Sequence, residues 1–202
     1  MARPHNKPER TADILSRTIP VVQRRGYHAT GVAQLVDAAG IPKGSFFYYF
    51  ESKERFALAA LEQYTAQALR ETARHLEGPG RPGERVRRMY RARILYARQQ
   101  LKANTTCLMN TLAQEIGAET SAVSVTLGHS LERMRLLIEA CLEGTALAVG
   151  VSAREAADIL ESAWRGTLLV MRGTRSTRPL SSFETLLDVV LAEKKQAGVQ
   201  DE

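Results

Sequence analysis

Cys107 is one of only two cysteines in the 202-residue chain. It lies in Asn104-Thr105-Thr106-Cys107-Leu108-Met109-Asn110-Thr111-Leu112-Ala113-Gln114-Glu115, at the expected start of a helix. A thiol there feels the positive end of the helix dipole, which favours the nucleophilic thiolate. Such a group can add to an electrophile or be oxidised. Hydrolysis would require a base as well, and His129 is the candidate for that role. The competing reading is a small buried hydrophobe, which is also the reading of Cys141 among Ile138, Ala140 and Leu142. No G-x-S-x-G elbow, phosphate-binding loop or metal-ligand spacing accompanies these residues, so neither an enzyme nor a cofactor or metal is expected.

A second run carries different chemistry. Residues 30–50 read Thr-Gly-Val-Ala-Gln-Leu-Val-Asp-Ala-Ala-Gly-Ile-Pro-Lys-Gly-Ser-Phe-Phe-Tyr-Tyr-Phe. Val32, Leu35, Val36 and Ala39 share one face of a short helix, with Thr30 or Gly31 as its cap. Gly40 supplies a turn, and Ile41, Phe46 and Phe50 complete a small core. The following helix then presents Lys43, Ser45, Phe47, Tyr48 and Tyr49. Two short helices joined in this way form a helix-turn-helix, whose second helix enters the DNA major groove. The amides near Lys43 and Gly44 open that helix and suit a phosphate, and Lys53 can clamp another.

The elements that must position these groups are helical, with Gly and Pro clustered between periodic segments. Nine helices are expected. The first seven span about residues 7–25, 32–39, 43–49, 53–76, 84–102, 107–116 and 121–149. Capping boxes at Ser152-Ala153-Arg154-Glu155 and Ser181-Ser182-Phe183-Glu184 open the last two. Gly78-Pro79-Gly80-Arg81-Pro82-Gly83 separates the fourth from the fifth, and Pro20 should kink the first. The expected fold class is all-α, with a three-helix helix-turn-helix domain over residues 1–52 followed by a six-helix domain over residues 53–202.

Composition sets the outer bounds. Apolar residues make up 44% and charged residues 25%, which excludes a disordered or low-complexity chain. No stretch approaches the roughly 18 apolar residues of a membrane span. The charged start Met1-Ala2-Arg3-Pro4-His5-Asn6-Lys7 lacks the apolar core of a secretory signal, so the reducing cytoplasm is the expected compartment. The net charge of +6 is unevenly placed: +4 over residues 1–55, −1 over 56–80, +7 over 81–102 and −4 over 103–202. The basic front suits nucleic acid. The larger excess on the fifth helix fits a solvated face, steering toward DNA, or an anionic effector.

The run Thr30…Ala39-Gly40-Ile41-Pro42-Lys43-Gly44-Ser45…Tyr49-Phe50-Glu51-Ser52-Lys53-Glu54 resembles the TetR/AcrR family of bacterial transcriptional regulators, spacing included. Phe47 stands where that family often has Tyr, and Pro42 where Ser often caps the helix. The resemblance implies a ligand-responsive repressor that binds a palindromic operator as a homodimer. It implies DNA contacts from Thr30, Lys43, Gly44, Ser45, Phe47, Tyr48, Tyr49 and Lys53, with Thr30 capping a helix and touching phosphate. It further implies a small-molecule effector enclosed by helices five to eight, with Cys107, Tyr96, Asn110, His129 and Trp164 as candidates. The last two helices would pair with a twofold mate, and Trp164, Leu168, Met171 and Leu187 are the expected interface residues; an ordinary intrachain core is the competing reading. Residues 104–115 and Trp164-Arg165-Gly166 also resemble a subgroup of NemR and AcuR type, some of whose members sense electrophiles or oxidants through a cysteine. Some of these use a lysine late in the eighth helix, where this chain has Arg172. A cysteine-based enzyme and a nonspecific DNA-binding protein are the alternatives from other classes.

Overall fold

In the computed structural model, residues 6–116 and 121–193 are described. Among them run nine α-helices: α1 (Lys7–Arg25), α2 (Val32–Ala39), α3 (Lys43–Phe50), α4 (Lys53–Leu76), α5 (Pro82–Lys102), α6 (Leu108–Glu115), α7 (Ala122–Leu142), α8 (Ala153–Thr174) and α9 (Arg178–Val190). Asn6 caps α1 by accepting the Glu9 amide at 3.1 Å, and Gly26 ends it with its N–H on the Val22 carbonyl. The helix continues through Pro20. An interior proline costs about 3 kcal/mol, whereas burying each of Ile14, Leu15, Ile19 and Val22 contributes about 1.5–3 kcal/mol, so the buried face wins. Ser152 and Glu155 form the expected reciprocal cap of α8.

Three expected boundaries move. Helix α5 starts at Pro82, inside the supposed break, because a first-turn proline gives up no intrahelical hydrogen bond. Helix α7 ends at Leu142 rather than near residue 149. Gly144 adopts φ +75° there, and the chain beyond forms an isolated antiparallel bridge between Leu147 and Glu193. Helix α9 opens at Arg178 with Pro179 in its first turn, so Ser181 and Ser182 lie inside it rather than capping it.

The helices sort into two compact units. One comprises the chain up to Leu69 together with Gln99–Leu131; the other comprises Arg70–Arg98 together with the chain from Glu132 onward. In the first unit α1, α2 and α3 enclose Ile14, Leu15, Leu35, Val36 and Ala39. Phe46, Phe50 and Phe56 close this core, with ring centroids 5.2–5.8 Å apart. Helix α6 packs on α1.

In the second unit α8 lies against α9. Tyr90, Trp164 and Phe183 form an aromatic cluster with centroids 5.0–6.0 Å apart. Beside it the buried Glu161 pairs with Arg93 and with Arg165 at 2.8 Å and accepts the Tyr90 hydroxyl at 2.9 Å. The arginine excess of α5 is largely consumed within this unit. Arg85 and Arg88 donate to the Leu76 and His75 carbonyls at 2.9 and 3.1 Å, where cations complement the C-terminal end of α4. Arg87 pairs with Asp188, Arg81 with Glu84 and Glu193, and Arg93 with Glu161. Internal caps and ion pairs therefore account for most of the +7 that the sequence left open.

Candidate nucleic-acid interface and sensor helix

The turn between α2 and α3 rests on Gly40, at φ +65°, ψ +41°. Its N–H reaches the Asp37 carbonyl, and the next amide, Ile41, reaches Val36. A Cβ on Gly40 would meet nothing within 4 Å, so the left-handed backbone and not crowding selects glycine. Pro42 stands at the N-cap of α3 and offers no side-chain acceptor, which leaves the first-turn amides around Lys43 and Gly44 without an intrahelical partner.

Helix α3 divides sharply by face. Phe46 and Phe50 are buried, while Phe47 is 51% and Tyr48 63% exposed. Lys43 and Gly44 are exposed, and Ser45 and Tyr49 are half-buried. The Tyr48 and Tyr49 rings meet edge to face at 5.1 Å, and the ammonium of Lys7, from the start of α1, lies 4.3 Å from the Tyr48 ring. Lys53, the first residue of α4, holds its ammonium 4.4 Å from the Tyr27 ring and 3.4 Å from the His28 carbonyl. Burial pushes its pKa down, and the charge of Glu115 partly opposes that. Thr30 departs from expectation. Gly31, not Thr30, is the N-cap of α2, and Thr30 is completely buried with its hydroxyl donated to the Gly26 carbonyl at 2.5 Å. Its side chain staples the α1–α2 turn and is not available to a phosphate.

Cys107 is the N-cap residue of α6, just ahead of its first turn. It is buried, and the Tyr64 hydroxyl donates to its sulfur at 3.7 Å. Asn110 is buried one turn on. Two other effector candidates do not line an interior: Tyr96 is 51% exposed and His129 is exposed. Trp164 belongs to the second unit, inside the aromatic cluster with Tyr90 and Phe183.

The expected pairing residues also change. Trp164, Leu168, Met171 and Leu187 are buried within the single chain. They line the face that α8 and α9 turn toward their own unit, because each stripe is as well covered by a neighbouring helix as by a second copy. The apolar surface that these helices leave exposed is Ile159, Leu169, Val170 and Val189. Glu115 and His28 meet although 87 residues separate them, and no local pattern in the sequence links the two.

A family model described as bacterial regulatory proteins of the tetR family matches residues 14–60, from within α1 into α4. The repressor NemR of Escherichia coli strain K12 is 29% identical over 191 residues, covering 88% of this chain and 92% of NemR. The repressor DhaR of Mycobacterium sp. strain GP1 is 26% identical over 178 residues, covering 86% of this chain and 88% of DhaR. In fold, the reduced form of E. coli NemR matches with a TM-score of 0.78 over 93% of this chain and 99% of that one, at 23% identity. A cysteine mutant of CifR, complexed with 26-base-pair operator DNA, matches with a TM-score of 0.76 over 93% of this chain and 98% of that one, at 22% identity. The match of residues 14–60 to the tetR-family model thus sits within a similarity to named transcriptional repressors that runs along more than four-fifths of the sequence.

Proposed function

We propose that the chain is a cytoplasmic, ligand-responsive transcriptional repressor, that two copies bind a palindromic operator, and that a small electrophile reacting at Cys107 releases them. The observation that carries the DNA half is the split face of α3. Phe46 and Phe50 anchor it, while Phe47 and Tyr48 stand exposed beside Lys43 and the open first turn. Exposed aromatics on a soluble helix call for a partner, and thymine methyls, base edges and phosphates supply one. Lys43, Gly44, Ser45, Phe47, Tyr48, Tyr49 and Lys53 make up this contact set. Residues 1–52 act as the DNA-binding domain and residues 53–202 as the effector-binding and pairing domain.

Pairing through α8 and α9 uses Ile159, Leu169, Val170 and Val189, the side chains that one copy leaves uncovered. A twofold pair presents two recognition helices about 34 Å apart, one turn of DNA, hence the palindrome. In the sensing step the Cys107 thiol adds to an activated carbon–carbon double bond. A sulfur–carbon bond forms, the π bond breaks, and the thiol proton ends on the neighbouring carbon. The adduct must be accommodated at a buried sulfur that already touches Tyr64 of α4, so α6 shifts against the helix that runs out of the DNA-binding domain.

Selection of duplexes from a random pool, followed by gel shift before and after N-ethylmaleimide treatment, tests the reading. A palindromic sequence should emerge, and alkylation should weaken its binding in the parent but not in Cys107→Ser. Sequence-independent binding that collapses with salt would overturn the repressor reading. Release that survives Cys107→Ser would overturn the thiol step.

A further inference from the structure

Glu115, the last residue of α6, grips the turn between α1 and α2. Its carboxylate oxygen Oε2 accepts the His28 amide at 2.7 Å, and its backbone carbonyl accepts His28 Nε2 at 3.0 Å. The contact is reciprocal: His28 supplies a donor to the C-terminal carbonyl end of α6, and α6 returns a carboxylate to the backbone of the turn. The other carboxylate oxygen, Oε1, lies 2.5 Å from where a Cβ on Gly26 would stand, so any side chain there would push the Glu115 carboxylate from its present place. Gly26 also sits at φ +92°, so both its backbone and its missing side chain serve this contact. The Lys53 ammonium, 3.4 Å from the His28 carbonyl, feels the Glu115 charge as well. Four residues, Gly26, His28, Lys53 and Glu115, thus join α6 to the turn and to the first residue of α4.

The opposite end of α6 is Cys107, against Tyr64. Eight helical residues span about 12 Å and behave as a rod, so a push at one end displaces the other. The clasp lies at the tip of that rod, and it holds the backbone that orients α2 and, through α2, the recognition helix α3.

We propose that Glu115 is a positioning residue whose clasp on His28 holds the helix-turn-helix in its DNA-binding arrangement, and that displacement of α6 from its Cys107 end acts by loosening this clasp. The inference rests on the repressor reading above and adds the element that transmits the signal. Loss of the clasp should therefore mimic alkylation, and the two should not add.

The test uses the full chain in a Cys141→Ala background, so that Cys107 is the single thiol, with a duplex selected by the wild-type protein. Affinity is measured before and after N-ethylmaleimide treatment for the parent, Glu115→Ala, Glu115→Gln and His28→Ala. Alkylation should weaken the parent by about fivefold or more, the lower end of ordinary allosteric coupling. Untreated Glu115→Ala should already bind as weakly as the alkylated parent and lose less than about twofold more on treatment, the non-additivity expected of one shared coupling. Glu115→Gln, which keeps an acceptor for the His28 amide, should fall between. Hydrogen exchange at the His28 amide should rise in Glu115→Ala while protection in α2 and α3 persists, which separates a lost clasp from a lost fold. Parent-like binding by Glu115→Ala, or an alkylation effect in it equal to the parent's, overturns the clasp alone. A parent that binds its duplex but ignores alkylation overturns the sensing step, and the clasp as its transmitter with it. Failure to select any duplex overturns the repressor reading on which both rest.

Discussion

Glu161→Gln should cost the fold about 3 kcal/mol, with a pH signature that identifies the cause. Glu161 lies buried in the second unit, and its carboxyl is held at about 2 against an ordinary 4.5. Burial is the largest single influence and works against ionisation; the charges and hydrogen bonds of Arg93 and Arg165 together outweigh it. A folded pKa some 2.5 below the unfolded one corresponds to ~3 kcal/mol at ~1.4 kcal/mol per pH unit. That agrees with the 3–5 kcal/mol typical of breaking a buried pair and stranding its partner. Glutamine keeps the shape of the protonated acid but leaves two guanidiniums without their anion. Because the folded pKa is depressed, the stabilisation is complete above about pH 4.5 and disappears as pH falls from there toward 2. Urea unfolding of both proteins at one fixed concentration, from pH 7 down to pH 3, measures this directly. A gap under about 1 kcal/mol at pH 7, or one that widens with acid, would refute the view that the two arginines dominate the burial of this carboxylate.

Three further outcomes follow from the same geometry. Gly40→Ala should cost about 1–2 kcal/mol in thermal or urea unfolding, the strain of a left-handed alanine, with no added steric cost because the site is open. Lys43→Ala should reduce the salt dependence of duplex binding by about one ion and weaken all sequences alike, whereas Tyr48→Ala should leave that slope unchanged; neither should shift the unfolding midpoint. Val170→Glu, on exposed surface, should yield a folded monomer by light scattering, while Leu168→Ala, in the intrachain core, should cost about 2–5 kcal/mol of stability and leave assembly intact.

Much of the fold is legible in the sequence because its signals are short-ranged. The bounds of α1, α2 and α4 follow from caps, glycines and apolar spacing within a turn or two of each end. The helix-turn-helix is legible for the same reason, since all its core residues lie within 45 positions and Gly40 has one role. Where local signals compete, the sequence misleads. Ser181-Ser182-Phe183-Glu184 has the form of a capping box, yet Pro179 allows α9 to start a turn earlier, and the serines are absorbed into the helix. Thr30 and Gly31 both qualify as caps, and only the packed turn shows that the Thr30 hydroxyl goes to Gly26.

The sequence by itself determined that this chain is helical, that a helix-turn-helix lies near its start and that Cys107 opens a helix, because each depends on residues within a few positions of one another. Tertiary structure alone decided which surface covers each stripe. Trp164, Leu168, Met171 and Leu187 face their own chain, and the exposed apolar side chains of α8 and α9 are others. It also decided that the arginines of α5 cap α4 and neutralise Glu161, and that Glu115 reaches His28 across 87 residues. The reason is physical: an apolar stripe or a charge run states that a partner is required, and only the packed chain says which one fills that place.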